Sequence, residues 1–205
     1  MNNKFIIPEK QIITITGRAI PKPASDQNTD DIVPARFLKE ITFVNMGKYV
    51  YADERFKEGK SLDHPFNDKR YKGATILIVG SNYGCGSSRE HAPQALARYG
   101  LKAIIAPSFA EIFVGNCTSL GVVCVSIKAK DVLELCEVAE KNPDIILKID
   151  LANKLIKCGE RTIDLEMPEG RRQAFLNGTW DALELLKQNE KGIKKIEQDL
   201  PYLKF

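Results

Sequence analysis

Three short apolar runs, residues 75–79 (TILIV), 103–106 (AIIA) and 122–127 (VVCVSI), are separated by helix-length segments, and this rhythm constrains the fold more than any other feature. A run apolar at every position suits a strand covered on both faces. A strand, a helical crossover and another strand pair in parallel with right-handed connections. The chain is therefore read as α/β, with parallel strands and flanking helices. The first crossover helix is placed between residues 88 and 99 and closed by Gly100. The second starts from Ser108 and Glu111, which have capping-box spacing, and stops before Gly121. Asp131 and Glu134 offer a variant of the same cap for a third helix, which Pro143 ends.

The flanks read less regularly. Residues 12–16 (IITIT) predict a strand ended by Gly17, Pro21 and Pro23. Residues 25–35 (SDQNTDDIVPA) carry turn chemistry and predict an ordered loop. Residues 36–70 are read as short helices with a surface loop at 61–68. Beyond Pro143, short strands are expected over 145–149, 155–158 and 162–165, joined by turns at Asn153-Lys154 and Gly159-Glu160. Helices are expected over 173–176 and 180–188, the second capped by Thr179, with a solvated Lys-rich end. At 205 residues the chain is read as a single domain, its core spanning about 12–180 and a helical tail about 181–205.

Composition removes several function classes. Lys and Arg number 30 against 27 Asp and Glu, a net charge of +3, so no dominant field draws the chain onto nucleic acid. No apolar stretch approaches the ~18 residues of a membrane span. The N-terminal MNNKFIIPEKQ has neither a secretory apolar core nor an Arg-rich transit pattern, which points to the cytoplasm. Five widely spaced cysteines fit free thiols in a reducing compartment. With no CxxC pair and only two histidines, no metal is expected on this chain alone.

Residues 80–91 (GSNYGCGSSREH) carry the chemistry, because they leave the carboxyl end of a buried strand and open a helix. Gly84 and Gly86 allow a tight turn whose following N–H groups can face an anion. Ser87 and Ser88 add hydroxyls, and Arg89 adds a planar fork suited to a carboxylate. A nucleotide loop fits poorly, since Arg89 replaces the third glycine of GxGxxG and no G-K-[ST] occurs. A serine hydrolase lacks its GxSxG elbow. The bland alternative is that Ser88 caps a helix and Arg89 pairs with a surface acid. His91 is a tempting base, but inside a helix start it more naturally bonds backbone or a partner. Cys85 reads as a small packed residue.

Residues 80–96 (GSNYGCGSSREHAPQAL), followed by 104–113 (IIAPSFAEIF) and Asn116-Cys117, closely resemble the small-subunit family of 3-isopropylmalate dehydratase, relatives of the mobile fourth domain of aconitase. Residues 28–38 (NTDDIVPARFL) match its second hallmark, so the resemblance covers most of residues 12–180. It implies a swivelling β/β/α domain working with a large subunit, as heterodimer or heterotetramer, that carries a [4Fe–4S] cluster. It further implies dehydration of 2-isopropylmalate to isopropylmaleate and rehydration to 3-isopropylmalate, in leucine biosynthesis. Ser87 then matches the serine whose alkoxide removes the carbon-bound proton, and Arg89 a ligand of the dicarboxylate substrate. Ser88 and Gly86 flank the substrate, and Arg36 is a further candidate ligand. Phe37, Leu38 and Lys39 match a substrate-specificity loop, while Asp30 and Asp31 either orient the site or serve as Asx-turn acceptors. A related hydro-lyase subunit, for homoaconitate or a methylated malate, and a stand-alone carboxylate-binding regulatory domain remain the alternatives.

Overall fold

The computed structural model describes residues 11–183, 186, 190–200 and 202. The chain begins with β1 (Thr14–Gly17), which pairs antiparallel with a later strand, and then changes sheet within one residue. Gly17 makes this crossing possible, because a Cβ there would stand 2.0 Å from Thr75 Oγ1. β2 (Ala19–Lys22) follows at once and is buried throughout. The expectation that Pro21 ends the strand region is therefore corrected. β2 forms the edge of its sheet, where a missing N–H breaks no ladder.

Residues 25–35 are ordered by α1 (Thr29–Ile32). Asn28 Oδ1 accepts the Asp30 and Asp31 N–H groups, and the Asp31 carboxylate accepts the Asn28 N–H. Short 3-10 turns at Ala35–Lys39 and Phe43–Tyr49 lead to α2 (Ala52–Arg55) and a small hairpin, β3 (Phe56–Lys57) with β4 (Lys60–Ser61). Residues 61–68 are not simply a surface loop, since His64 and Phe66 are 7% and 6% exposed and close a 3-10 turn over the core.

The three apolar runs form β5 (Ile76–Val79), β6 (Ala103–Ala106) and β7 (Val123–Ser126). With β2 they make a parallel four-stranded sheet of order β2-β5-β6-β7. The crossovers are α3 (His91–Tyr99), closed by Gly100 at φ 115°, and α4 (Glu111–Ser119). Ser108 does not cap α4, which starts from Ala110 without a side-chain cap; its hydroxyl accepts the Asn82 N–H instead. Asp131 and Glu134 likewise do not cap α5 (Ala129–Lys141), and both pair with Arg161. The turns at Lys154 and Gly159 join β8 (Leu147–Asp150), β9 (Leu155–Cys158) and β10 (Arg161–Asp164), which with β1 form an antiparallel sheet of order β1-β8-β9-β10.

Alternation along the parallel strands divides the interior. Ile76, Ile78, Ile105 and Val125 face the antiparallel sheet and α5, meeting Ile149, Ile156 and Leu135. Leu77, Val79, Ile104 and Cys124 face α3 and α4, meeting Leu96, Tyr83 and Phe113. The result is sheet, sheet and helices in layers. α6 (Glu169–Asn177) is longer than expected and closed by Gly178, with the Thr179 N–H bonded to the Ala174 carbonyl. The expected helix over 180–188 lies partly outside the described residues; α7 (Glu190–Asp199) follows it. No helix among the described residues is long and apolar enough to cross a membrane.

Candidate active site

The loop between β5 and α3 is sewn onto the segment before α1. Asp26 N–H donates to the Ser81 carbonyl at 2.8 Å, Gly84 N–H to the Gln27 carbonyl at 2.8 Å, and Thr29 N–H to the Cys85 carbonyl at 2.9 Å. The two motifs, far apart in sequence, thus share one short ladder. Gly84 has φ +79°, and a Cβ on it would stand 2.2 Å from the Phe113 ring, so only glycine lets the loop lie against α4. Gly86, at φ +99°, then reverses the chain and presents Ser87.

Ser87 is fixed at both of its polar ends. Its N–H donates to the buried Thr29 Oγ1 at 3.0 Å, and its Oγ accepts the Arg89 N–H at 3.2 Å. An N–H aimed at that oxygen favours negative charge on it. Asn116 of α4 donates to the Ser88 carbonyl at 3.1 Å and holds the loop from the other side. Ser88 does not cap α3, whose N-cap position is Glu90 without a side-chain capping bond. Ser88 and Arg89 are exposed, and among the described residues no carboxylate pairs with the Arg89 guanidinium. Neither half of the bland alternative is realised.

The other candidates divide. The Asp31 carboxylate is consumed in the α1 capping box, whereas the Asp30 side chain is exposed. Arg36 turns to Asp53 in a two-pronged ion pair, one bond being 2.9 Å from Nη1 to Oδ2, and lies over the Phe37 ring. The guanidinium holds the Asp53 carboxyl below its ordinary range. Arg36 is thus engaged away from the Ser87 loop. Phe37 stacks on Tyr49 at 4.0 Å, Leu38 is half-buried beside it, and Lys39 is exposed. His91 opens α3 with its ring edge-on to Phe43 at 5.1 Å; its buried Nδ1 has no hydrogen-bond partner among the described residues. Cys85 Sγ lies 3.6 Å from the Asp26 carbonyl.

Sequence reasoning missed three contributors. Asn28 had a readable signal, its N-x-x-D spacing to Asp31. Thr29 and Asn116 had none as positioning groups, because their roles depend on elements that meet only in the folded chain.

A small-residue turn carrying a restrained serine and an arginine without an ion-pair partner among the described residues, at the strand ends of a parallel sheet backed by an antiparallel one, defines the class. The profile of the aconitase C-terminal domain family matches residues 9–130, and the chain belongs to that family. Within it, the 3-isopropylmalate dehydratase small subunits of two Thermus thermophilus strains are each 48% identical over 195 residues, covering 94% of this chain and 96% of theirs. The small subunit from Synechocystis is 42% identical over 193 residues. A crystal structure of 3-isopropylmalate dehydratase from Methanocaldococcus jannaschii superimposes with a TM-score of 0.63 at 29% identity, covering 87% of this chain and 99% of that one.

Proposed function

We propose that this chain is the small subunit of a 3-isopropylmalate dehydratase, a hydro-lyase that interconverts 2- and 3-isopropylmalate through isopropylmaleate in leucine biosynthesis. The observation that carries the reading is the Ser87 hydroxyl, restrained by the N–H of Arg89, a residue whose guanidinium has no carboxylate partner among the described residues. Ser87 is the base. Its oxygen takes the proton from the carbon adjacent to the one that loses hydroxide, the carbon–hydrogen electrons form the double bond, and water re-adds at the neighbouring carbon. Arg89 binds a substrate carboxylate through its fork, with Ser88 and Gly86 lining the same turn.

Ionising a serine needs strong support. A helix N-terminus contributes up to ~2 kcal/mol, or roughly 1.5 pKa units. The Arg89 N–H, the Arg89 charge and exclusion of water on assembly must contribute the remainder. The leaving hydroxyl needs a Lewis acid, which a [4Fe–4S] cluster on the large subunit would supply. This chain does not fit that group: four of its five cysteines are buried in the cores, and among the described residues no three His, Cys, Asp or Glu side chains converge. The reading takes residues 1–205 as one swivel domain paired with a large subunit in a heterodimer or heterotetramer. Free thiols support work in the cytoplasm.

The test is reconstitution. The isolated chain is expected to be inert and its complex with a cluster-loaded large subunit to interconvert the two acids. Ser87→Ala should remove nearly all kcat while leaving assembly and the cluster spectrum intact, and Ser88→Ala should be milder. Near-normal turnover by Ser87→Ala overturns the assignment of the base.

A further inference from the structure

Beneath the loop lies a polar cluster that the reaction does not use. Lys22, the last residue of β2, is only 7% exposed. Its Nζ stands 2.9 Å from Glu54 Oε2, donates to Gln27 Oε1 at 2.5 Å and lies 4.5 Å from the centre of the Tyr51 ring. The Tyr51 hydroxyl is 2.6 Å from that of Tyr83, and both rings are fully buried. His64 completes the cluster. Its Nδ1 accepts the Phe66 N–H at 3.2 Å, which leaves the proton on Nε2, 3.4 Å from Glu54 Oε2.

A buried ammonium is costly, and an apolar side chain would complete the end of β2 at less cost. What the charge adds is connection. Gln27, held by Lys22 through its side chain, is the residue whose carbonyl accepts the Gly84 N–H. Tyr83 precedes Gly84 in the loop and is held by Tyr51, over whose ring the same ammonium sits. The cluster therefore grips the loop at the Tyr83 side chain and at the Gly84 N–H, three residues before Ser87.

We propose that Lys22 is a positioning residue for Ser87: its buried ammonium, fastened between Gln27, Glu54 and the Tyr51 face, fixes the Gln27 carbonyl and the Tyr83 side chain and so sets where the loop presents the serine hydroxyl. The inference rests on the reading of Ser87 as the base. A small misplacement of a reacting group costs far more in rate than in binding.

Lys22→Met alone leaves Glu54 without its cation and is expected to lose stability. Lys22→Met/Glu54→Gln removes both charges and should recover the melting temperature, which separates stability from position. Two readouts apply to the double variant in its full-length chain and in the reconstituted complex. Amide exchange in a peptide spanning residues 83–89 should quicken while exchange in β6 is unchanged, and kcat should fall at least about tenfold with little change in KM. Tyr51→Phe, which deletes one hydroxyl, should show a weaker version of both. Wild-type kcat in the double variant overturns the inference, and so does unchanged exchange over 83–89. A wild-type complex inactive on 2-isopropylmalate would overturn the functional reading instead, and the exchange comparison would still decide whether Lys22 holds the loop.

Discussion

Gly84 shows how far one missing methyl group determines the site. Its φ of +79° and the Phe113 ring 2.2 Å from the place of a Cβ impose two separate penalties on alanine. Together these amount to roughly 2–4 kcal/mol. Gly84→Ala is expected to lower stability by that order in urea unfolding and to cut activity further, because the loop must lift from α4; a Phe113→Leu background should recover part of the stability. Gly84→Ala at wild-type stability would refute the close approach. His64 offers a second test. Burial first, then the neighbouring Lys22 charge, lowers its pKa from 6.5 to about 4. The unfolded chain then binds a proton that the folded chain refuses between these values, so stability is full above about pH 6.5 and falls as pH drops towards 4. The difference is worth roughly 3 kcal/mol. Unfolding of wild type and His64→Gln at pH 7 and pH 4.5 should diverge, wild type losing more; parallel losses would contradict the assignment.

Among the elements, α1 is the smallest and the most consequential. Its four residues are too few to stand alone, and the reciprocal bonds of Asn28 and Asp31 hold the turn that carries Thr29. Asn28→Ala should cost about 1 kcal/mol of stability. Its effect on kcat of the complex should be larger, since Thr29 Oγ1 receives the Ser87 N–H; a proportionate, purely thermal effect would place α1 outside the mechanism. The elements also show where local signals mislead. Ser108 and Glu111 have the right spacing for a cap, yet Ser108 faces the Ser87 loop and bonds Asn82, a tertiary demand that outweighs a local one. β2 escaped the sequence reading because Pro21 forbids a central strand but not an edge, and edge status is a property of the finished sheet.

For the whole molecule, we propose that substrate choice turns on the segment after α1. Phe37 and Leu38 offer apolar surface for an isopropyl group, whose burial is worth ~1.5–3 kcal/mol. The extra carboxylate of homoaconitate would need a cation in that place. Arg36 is committed to Asp53, which leaves exposed Lys39 as the cation of this segment. The reconstituted complex is expected to favour isopropylmalate over homoaconitate by at least about tenfold in kcat/KM, or ~1.4 kcal/mol. Equal or reversed values would refute this, and Lys39→Ala would then show whether that lysine recruits the carboxylate.

The parallel core was legible from sequence because all of 75–79, 103–106 and 122–127 but Thr75 and Ser126 is apolar, as strands between two covered faces require. The loop at 80–91 was legible because tight turns at strand ends admit few residue types, and glycine, serine and arginine there carry chemistry of their own. The partners of those residues were not legible. That Thr29 receives the Ser87 N–H, that Asn116 holds the Ser88 carbonyl, that Arg36 turns to Asp53 and that Lys22 is buried under Tyr51 each depend on segments brought together across the sheet. Local sequence sets which conformations a segment can adopt. Only packing decides which distant group meets it, because a hydrogen bond or ion pair is chosen by position and desolvation in the folded interior.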